Sequence, residues 1–245
     1  MNIHILIPTA SEARRVITAL RMKRKDGSSF WYEAPGVCVT LHHCGIGADN
    51  ARRTAERVFD AGADLLVLAG FCGGLNQNLK LGDAVVDNQH TVPGFVEQIS
   101  SIAGTRGIPC HTGTILTSST LVTGPEEKAT LGIQTGAIAV DMEGAGVLDL
   151  CRERNVPFLS FRTVSDDINQ RLARMIHEVA LQGKTTVRFW VTLLLVPWEW
   201  PDILREVLSA RKAAVNLAAV LSDWVHALPE SPWIKIRDFG AGRAE

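Results

Sequence analysis

Asp64-Leu65-Leu66-Val67-Leu68-Ala69-Gly70 is the stretch of the chain that decides the fold. It is a nearly continuous apolar run, and such runs are typical of strands that a sheet buries on both of its faces. The pair Gly73-Gly74 follows it and is predicted to break the strand. The run therefore predicts a central strand of a covered sheet.

Strand and helix patterns alternate on both sides of this run. Short apolar runs predict further strands at residues 3–7, 37–41, 83–86, 112–116 and 157–164. Helical periods predict one helix capped by Ser11, helices over residues 51–59, 125–131 and 143–154, and another that starts near Asp167. Residues 103–109 are rich in turn formers and predict a loop. The alternation favours one α/β domain with a mixed, mostly parallel sheet.

The amino-acid composition of the chain changes beyond residue 185. Aromatic residues and prolines gather there, namely Phe189, Trp190, Trp198, Trp200 and Trp224 with Pro197 and Pro201. A helical period resumes at Asp202. We expect an α/β core over residues 1–185 and a helical, Trp-rich C-terminal extension over residues 186–245. The extension is expected either to pack on the core as helices or to form a lid that faces a partner.

The overall composition limits the classes of function. Hydrophobic residues make up 46% of the 245 residues and charged residues 21%, which is ordinary for a folded soluble domain. Twenty-five basic and 26 acidic residues leave a net charge of −1. A chain-wide attraction to nucleic acid is therefore not expected.

The cysteines and the apolar runs bear on the compartment. The five cysteines are odd in number and include no Cys-x-x-Cys pair, which argues against a disulfide framework and against a zinc site. The first residues lack the basic region and the cleavage site of a signal peptide. The longest mainly apolar run, residues 189–196, is shorter than the ~20 residues that a membrane span needs. We expect a protein of the reducing cytoplasm.

Three carboxylates stand next to predicted junctions of strand and helix. Glu12 follows the first strand, Glu143 opens a helix, and Asp166 follows the last predicted strand. Ligands of open α/β sheets bind outside the carboxyl ends of the strands, so these side chains are candidates for one shared crevice. The alternative is that each is an acidic residue favoured at a helix N-terminus by the helix dipole. The spacing alone does not separate the two interpretations.

Four motifs occur in a fixed order along the chain. They are Ala69-Gly70-Phe71-Cys72-Gly73-Gly74-Leu75, Lys80-Leu81-Gly82-Asp83, Val140-Asp141-Met142-Glu143 and Phe161-Arg162-Thr163-Val164-Ser165-Asp166. Over about residues 1–185 this order resembles the nucleoside phosphorylase superfamily, and most of all its 5′-methylthioadenosine/S-adenosylhomocysteine nucleosidase branch. The resemblance implies a single-domain, three-layer α/β/α fold with a mixed, mostly parallel central sheet. It also implies an enzyme without a metal or cofactor, and a homodimer.

The resemblance assigns roles at the sugar and at the base. Asp166 matches the acid that protonates purine N7, and Ser165 matches the serine that orients it. Met142 and Glu143 match the pair that binds the ribose. Cleavage of an N-glycosidic bond passes through an oxocarbenium-like sugar, which needs negative charge nearby and a proton on the leaving base.

The remaining implied roles concern the nucleophile and the pocket walls. Glu12, with Arg162 near it, matches the acid that orients the attacking water. Phe71, Cys72 and Gly73 match positions beside the sugar and base, and Leu121 and Val122 fall where the branch covers the base.

Two departures from the branch bear on the substrate. Phe71 replaces a serine near the ribose, and Leu121-Val122 replaces a phenylalanine that stacks on adenine. In its Thr-rich strand, its Val140-Asp141-Met142-Glu143 segment and its long C-terminal extension, the chain is similar to the hopanoid-associated phosphorylases, which act on adenosylhopane. We therefore expect a purine nucleoside with a bulky 5′ substituent as substrate, with the tryptophans of the extension lining a channel or touching a membrane surface, or else forming core or dimer contacts.

Three alternatives stay open. A phosphorylase of the same fold would need an anion site, yet Leu68 occupies the position where hexameric purine nucleoside phosphorylases have an arginine. The candidates to bind phosphate in its place are Arg14, Arg15 and Arg52. Each is explained equally well as a solvent-exposed residue of a helix. A futalosine hydrolase-like enzyme and a non-catalytic nucleoside-binding module are the other two. Water is the favoured nucleophile.

Overall fold

A computed structural model of the chain describes residues 1–172 and 200–230. Ten strands form one sheet, and their bounds are β1 Asn2–Ile7, β2 Lys23–Arg24, β3 Ser29–Ala34, β4 Val37–His43, β5 Leu65–Gly74, β6 Ala84–Asp87, β7 Cys110–Gly113, β8 Ile115–Thr117, β9 Ala139–Asp141 and β10 Phe158–Asp166. The sheet order is β2-β3-β4-β1-β5-β10-β6-β7, and β8 and β9 extend from the end of β5.

Strand β5 lies at the centre of the sheet, as its apolar run predicts. It pairs in parallel with β1 on one side and with β10 on the other, and residues 65–70 are buried. The predicted break at Gly73-Gly74 is wrong. These glycines continue the strand because they pair with Val140 and Ala139 of β9, which runs antiparallel to β5.

Within the described residues, six helices cover the sheet. Their bounds are α1 Ala10–Ala19, α2 Ala48–Asp60, α3 Pro93–Thr105, α4 Pro125–Thr135, α5 Gly144–Arg154 and α6 Trp200–Ala227, followed by a 3₁₀ turn at Leu228–Glu230. Apolar side chains of α1, α3 and α6 share one buried cluster with the sheet, and those of α2 and α5 share another. The described residues therefore form three layers around a mixed sheet, as predicted.

Helix α6 is part of the main core. Leu217, Leu221 and Trp224 are fully buried, and the Trp224 indole meets the Phe95 ring of α3 edge-on, with 5.7 Å between ring centroids. Phe189, Trp190 and Trp198 lie outside the described residues, so the division at residue 185 stays a prediction. In the part of the chain that the structure describes, no helix combines the length and apolarity of a membrane span.

Several local predictions are corrected by side-chain chemistry. The N-cap of α1 is Thr9 rather than Ser11, because the Thr9 hydroxyl and the Glu12 carboxylate bind each other's backbone N–H in a capping box. The predicted strand over residues 112–116 is two strands, β7 and β8, which pair with β6 and β9 respectively. Helix α3 begins at Pro93, which suits a first helical turn, and runs to Thr105. It therefore covers the first part of the loop predicted over residues 103–109. Residues 167–172 form no helix, because the chain turns there with the Gln170 N–H bonded to the Asp167 carbonyl; the rest of the helix predicted to start near Asp167 lies outside the described residues.

Candidate active site

A cavity of about 410 Å³ opens at the carboxyl ends of β1, β5 and β10. Every site residue predicted from the sequence lines it except Arg162; those lining it are Glu12, Phe71, Cys72, Gly73, Leu121, Val122, Met142, Glu143, Ser165 and Asp166. The three candidate carboxylates therefore do meet in one crevice. Their burial also distinguishes them from solvated acids at helix N-termini, because all three are nearly inaccessible.

Glu12 is held in a fixed position at one side of the cavity. Its Oε2 accepts hydrogen bonds from the Thr9 backbone N–H at 2.8 Å and from the Thr9 hydroxyl at 2.6 Å, and its Oε1 accepts from the Phe71 N–H at 2.8 Å. Gly70 gives it room, since a Cβ there would lie 2.8 Å from Oε1. Burial raises the pKa of Glu12, while the Thr9 hydroxyl and the other donors oppose the rise. Glu12 is thus an immobile carboxylate with raised basicity.

Arg162 lies behind the cavity wall, where its charge acts on Glu12 and opposes the rise in the pKa of that carboxyl. It is fully buried, and its Nη2 donates to Asp141 Oδ2 at 2.6 Å. Asp141 Oδ1 accepts from the Thr117 hydroxyl at 2.8 Å and from the Gly144 N–H at 3.2 Å. The Nε and Nη1 atoms of Arg162 have no hydrogen-bond partner within the described residues. Its charge is therefore balanced mainly by Asp141, a residue to which the sequence motif alone assigned no role.

Glu143 closes the cavity next to Met142. It is the N-cap residue of α5, and its Oε1 accepts a hydrogen bond at 2.9 Å from the N–H of Gly47, the N-cap residue of α2. Burial raises the pKa of Glu143 to about 7, and the nearby Arg162 charge opposes that rise while Asp141 adds to it. Glu143 therefore changes its charge near neutral pH.

Asp166 stands at the end of β10, on the other side of the cavity. The Ser165 hydroxyl lies 2.8 Å from Asp166 Oδ1 and 3.2 Å from the Cys72 carbonyl oxygen. A Cβ on Gly73 would come within 3.0 Å of Asp166 Oδ2. The same Oδ2 accepts a hydrogen bond at 2.5 Å from Nζ of Lys128 on α4. Sequence analysis missed Lys128, although a lysine one turn before the inward-facing Leu131 was a usable signal.

The rest of the lining is largely apolar. Leu172 and, from α6, Val207 and Ala210 join Phe71, Leu121 and Val122, and sequence analysis missed all three of these additions. Burial raises the pKa of the Cys72 thiol strongly, which argues against a thiolate nucleophile. Within residues 1–172 and 200–230 no Lys, Arg or His lines the cavity, and no three His, Cys, Asp or Glu side chains group as metal ligands do.

The chain was compared with known proteins. Residues 21–94 and 90–187 match the family model of the phosphorylase superfamily. The 5′-methylthioadenosine/S-adenosylhomocysteine nucleosidase of Colwellia psychrerythraea is 30% identical over 195 residues, which cover 65% of this chain and 79% of that protein. A DeoD-type purine nucleoside phosphorylase of the same organism is 26% identical over 153 residues, covering 54% and 65%.

A solved structure shares the fold. It is a mutant of the Helicobacter pylori 5′-methylthioadenosine/S-adenosylhomocysteine nucleosidase with 5′-methylthioadenosine in the active site. It superposes with a TM-score of 0.69 at 18% identity, over 92% of this chain and 98% of the other. Because the family model matches more than half of its length, the chain belongs to the phosphorylase superfamily, in which it resembles the 5′-methylthioadenosine/S-adenosylhomocysteine nucleosidases.

Proposed function

We propose that the protein is an N-ribosyl hydrolase that cleaves the glycosidic bond of a purine nucleoside. The observation that carries the proposal is the meeting of Glu12, Glu143 and Asp166 in one cavity whose described lining contains no basic side chain. The similarity to nucleosidases supports it independently. Three carboxylates suit a reaction that builds positive charge on a sugar.

Water is the proposed nucleophile rather than phosphate. A phosphate dianion in this cavity would face Glu12 and Glu143. Among the described residues, the cations next to the lining are Arg162 and Lys128, and both lie behind the wall, paired with Asp141 and Asp166 respectively. The candidate substitutes do not help, since Arg14 and Arg15 are exposed on α1 and Arg52 pairs with acidic residues of α2 and α5. Phosphate binding needs converging donors, and the described lining offers no charged ones.

Glu12 positions and deprotonates the water in this mechanism. Its Oε2 already accepts two hydrogen bonds, whereas Oε1 accepts only one and retains capacity for another. As the water oxygen bonds to C1′ and the C1′–N9 bond breaks, a water proton passes to Glu12. Its raised pKa favours this role, because a stronger base takes the proton more readily.

Glu143 and Asp166 act on the sugar and on the base. Glu143, with Met142 beside it, accepts from the ribose hydroxyls and stabilises the oxocarbenium-like sugar. Asp166, with Ser165 fixing one of its oxygens, passes a proton to purine N7 so that the base departs neutral. Phe71, Cys72 and Gly73 form the wall between the two.

The proposed substrate carries a bulky apolar 5′ group of the adenosylhopane kind. Apolar side chains from β5, from residues 121–122 and from α6 form much of the lining. The apolar surface also continues outward, because Val207 of the lining and its neighbours Leu204 and Leu208 are exposed. Each buried CH₂ group of a substituent is worth about 0.8 kcal/mol. A cytoplasmic homodimer completes the proposal, with the exposed Leu204, Val207 and Leu208 of α6 as its contact with a membrane surface.

The test is base release from a panel of adenosine, 5′-methylthioadenosine, futalosine and a lipid-substituted adenosine, each with and without phosphate. We expect free ribose product without phosphate, and fastest release from the lipid-substituted nucleoside. Ribose 1-phosphate formed only with phosphate would identify a phosphorylase, and fastest release from futalosine a futalosine hydrolase-like enzyme. Tight binding without release would identify a binding module. Asp166→Asn should lower kcat by ~10²–10⁴, the range for loss of a general acid.

A further inference from the structure

A fully buried lysine lies next to Asp166. Lys128 has an exposed fraction of 0%, whereas the two residues before it on α4 are exposed. Its Nζ donates to Asp166 Oδ2 at 2.5 Å and to the backbone carbonyls of Asp167 at 2.8 Å and Gln170 at 3.0 Å. An ammonium group has three N–H donors, so these acceptors use all of them.

Stability alone gives little reason for such a pair. Burying two charges costs several kcal/mol per ion, and well-packed apolar replacements of buried ion pairs are often neutral or stabilising. Asp166 lines the cavity and Lys128 does not. Lys128 therefore acts on a substrate indirectly, and Asp166 is the cavity residue with which it is in direct contact.

The ion pair changes what Asp166 is able to do. A carboxylate in contact with an ammonium group is ionised, and an ionised carboxylate only accepts hydrogen bonds. A departing purine nevertheless needs a proton at N7. We infer that Lys128 is a positioning residue that holds Asp166 in the cavity and supplies, through it, the proton taken up by the base; this inference rests on the proposed hydrolase function.

The proton transfer balances. When the C1′–N9 bond breaks, its electron pair moves onto the purine and N7 becomes basic. A proton moves from Lys128 Nζ to the Asp166 carboxylate and from that carboxyl to N7. Lys128 is left as a neutral amine, Asp166 again as a carboxylate that accepts from N7–H, and the base as a neutral purine. Solvent restores the proton through Asp166, which lines the cavity, after the base is released.

Few other titratable groups face this pair. Cys72 of β5 interacts electrostatically with Asp166, and burial keeps its thiol neutral. Arg162 and Asp141, from β10 and β9, lie near the same cysteine and neutralise each other. Lys128 is therefore the charged group in direct contact with Asp166.

A double-mutant cycle tests the inference. Lys128→Met, Asp166→Asn and the double variant are assayed on the best nucleoside of the panel, with Glu127→Gln, an exposed change on the same helix, as the control. We expect Lys128→Met to lower kcat by ~10² with KM changed little, and to have no further effect in the Asp166→Asn background. Equal losses in both backgrounds, or a change confined to KM, would overturn the inference.

The pH profile adds a readout that a purely structural lysine would not move. Without Lys128, Asp166 must carry the proton itself, so the ratio of wild-type to Lys128→Met kcat should shrink as pH falls from 8 to 5. The ratio cancels ionisations common to both proteins, those of Glu12 and Glu143 included. A constant ratio contradicts proton supply by Lys128.

Lysine ¹³Cε NMR separates this inference from the proposed function. If no nucleoside of the panel is cleaved, the hydrolase proposal fails on that result alone. The ¹³Cε chemical shift of Lys128 still tests the ion pair. A neutral Lys128 at pH 7 overturns the inference, and a charged Lys128 supports it.

Discussion

Replacing Glu143 by glutamine should stabilise the unliganded protein at alkaline pH while impairing its activity. Glu143 is 5% exposed, and burial raises its pKa from 4.5 to about 7. A pKa raised by folding means that the folded state binds the proton more tightly, so stability is fully present below about pH 4.5 and is lost as the pH rises through about 7. At pH 8 the ionised carboxylate therefore works against the fold.

The size of the effect follows from the shift. Each pKa unit corresponds to 1.36 kcal/mol, so the rise of about 2.5 units lowers the free energy of unfolding by about 3 kcal/mol at pH 8. At pH 5 the same shift lowers it by only about 1 kcal/mol. Glutamine keeps the shape and carries no charge, so Glu143→Gln should gain about 2 kcal/mol more at pH 8 than at pH 5. With a urea m-value of about 2 kcal/mol/M, the difference is about 1 M in unfolding midpoint.

Urea unfolding of both proteins at pH 5 and pH 8 measures this. Glu153→Gln is the matched control, because Glu153 is a half-exposed residue of the same helix whose ion pair with Arg52 is worth little. The reasoning is refuted if the gain is the same at both pH values, or if Glu143→Gln destabilises at pH 8. Loss of hydrogen bonds from a charged acceptor to ribose should meanwhile lower kcat/KM by about 10- to 100-fold.

Three further changes test the remaining geometry. Gly70→Ala should push the Glu12 carboxylate aside, since the new Cβ would lie 2.8 Å from Oε1, and steady-state kinetics should show at least a ~10-fold loss of kcat; normal turnover would mean that the position of Glu12 is not critical. Gly146→Ala should separate α5 from α2, because its Cβ would lie 2.3 Å from the Ala48 carbonyl oxygen; thermal unfolding should show a loss of about 1–3 kcal/mol, and an unchanged Tm would contradict this close contact. Cys72→Ala should leave turnover near that of the wild type, whereas inactivation would restore the thiol as a nucleophile.

The fold and the cavity lining were largely predictable for one physical reason. An apolar run such as residues 65–70 has few stable surroundings besides the middle of a covered sheet. Acidic residues that follow strands then gather at one edge of that sheet, which is how Glu12, Glu143 and Asp166 meet. For these three residues, a position just after a predicted strand was enough to predict that their side chains lie close together.

The remaining parts of the site depend on long-range contacts that no local pattern encodes. Lys128 and Asp166 are 38 residues apart, and Asp141 and Arg162 are 21 apart. A lysine on an amphipathic helix is ordinarily solvated, so only its partner explains its burial. The edge hairpin of β2 and β3 was missed because β2 has only 2 residues, both exposed, and most of β3 is only partly buried.

The two glycines of β5 that admit carboxylates have a consequence for how such a protein diversifies. Gly70 and Gly73 are three residues apart, so strand geometry sets their Cα atoms about 10 Å apart. The spacing between the end proposed to handle water and the end proposed to handle the base is thus built into the central, buried strand of the sheet. The walls formed by Leu121, Val122 and α6 are separate from it. Descendants of this sequence are free to exchange one nucleoside tail for another by mutating those walls, while the bond-breaking apparatus is inherited intact.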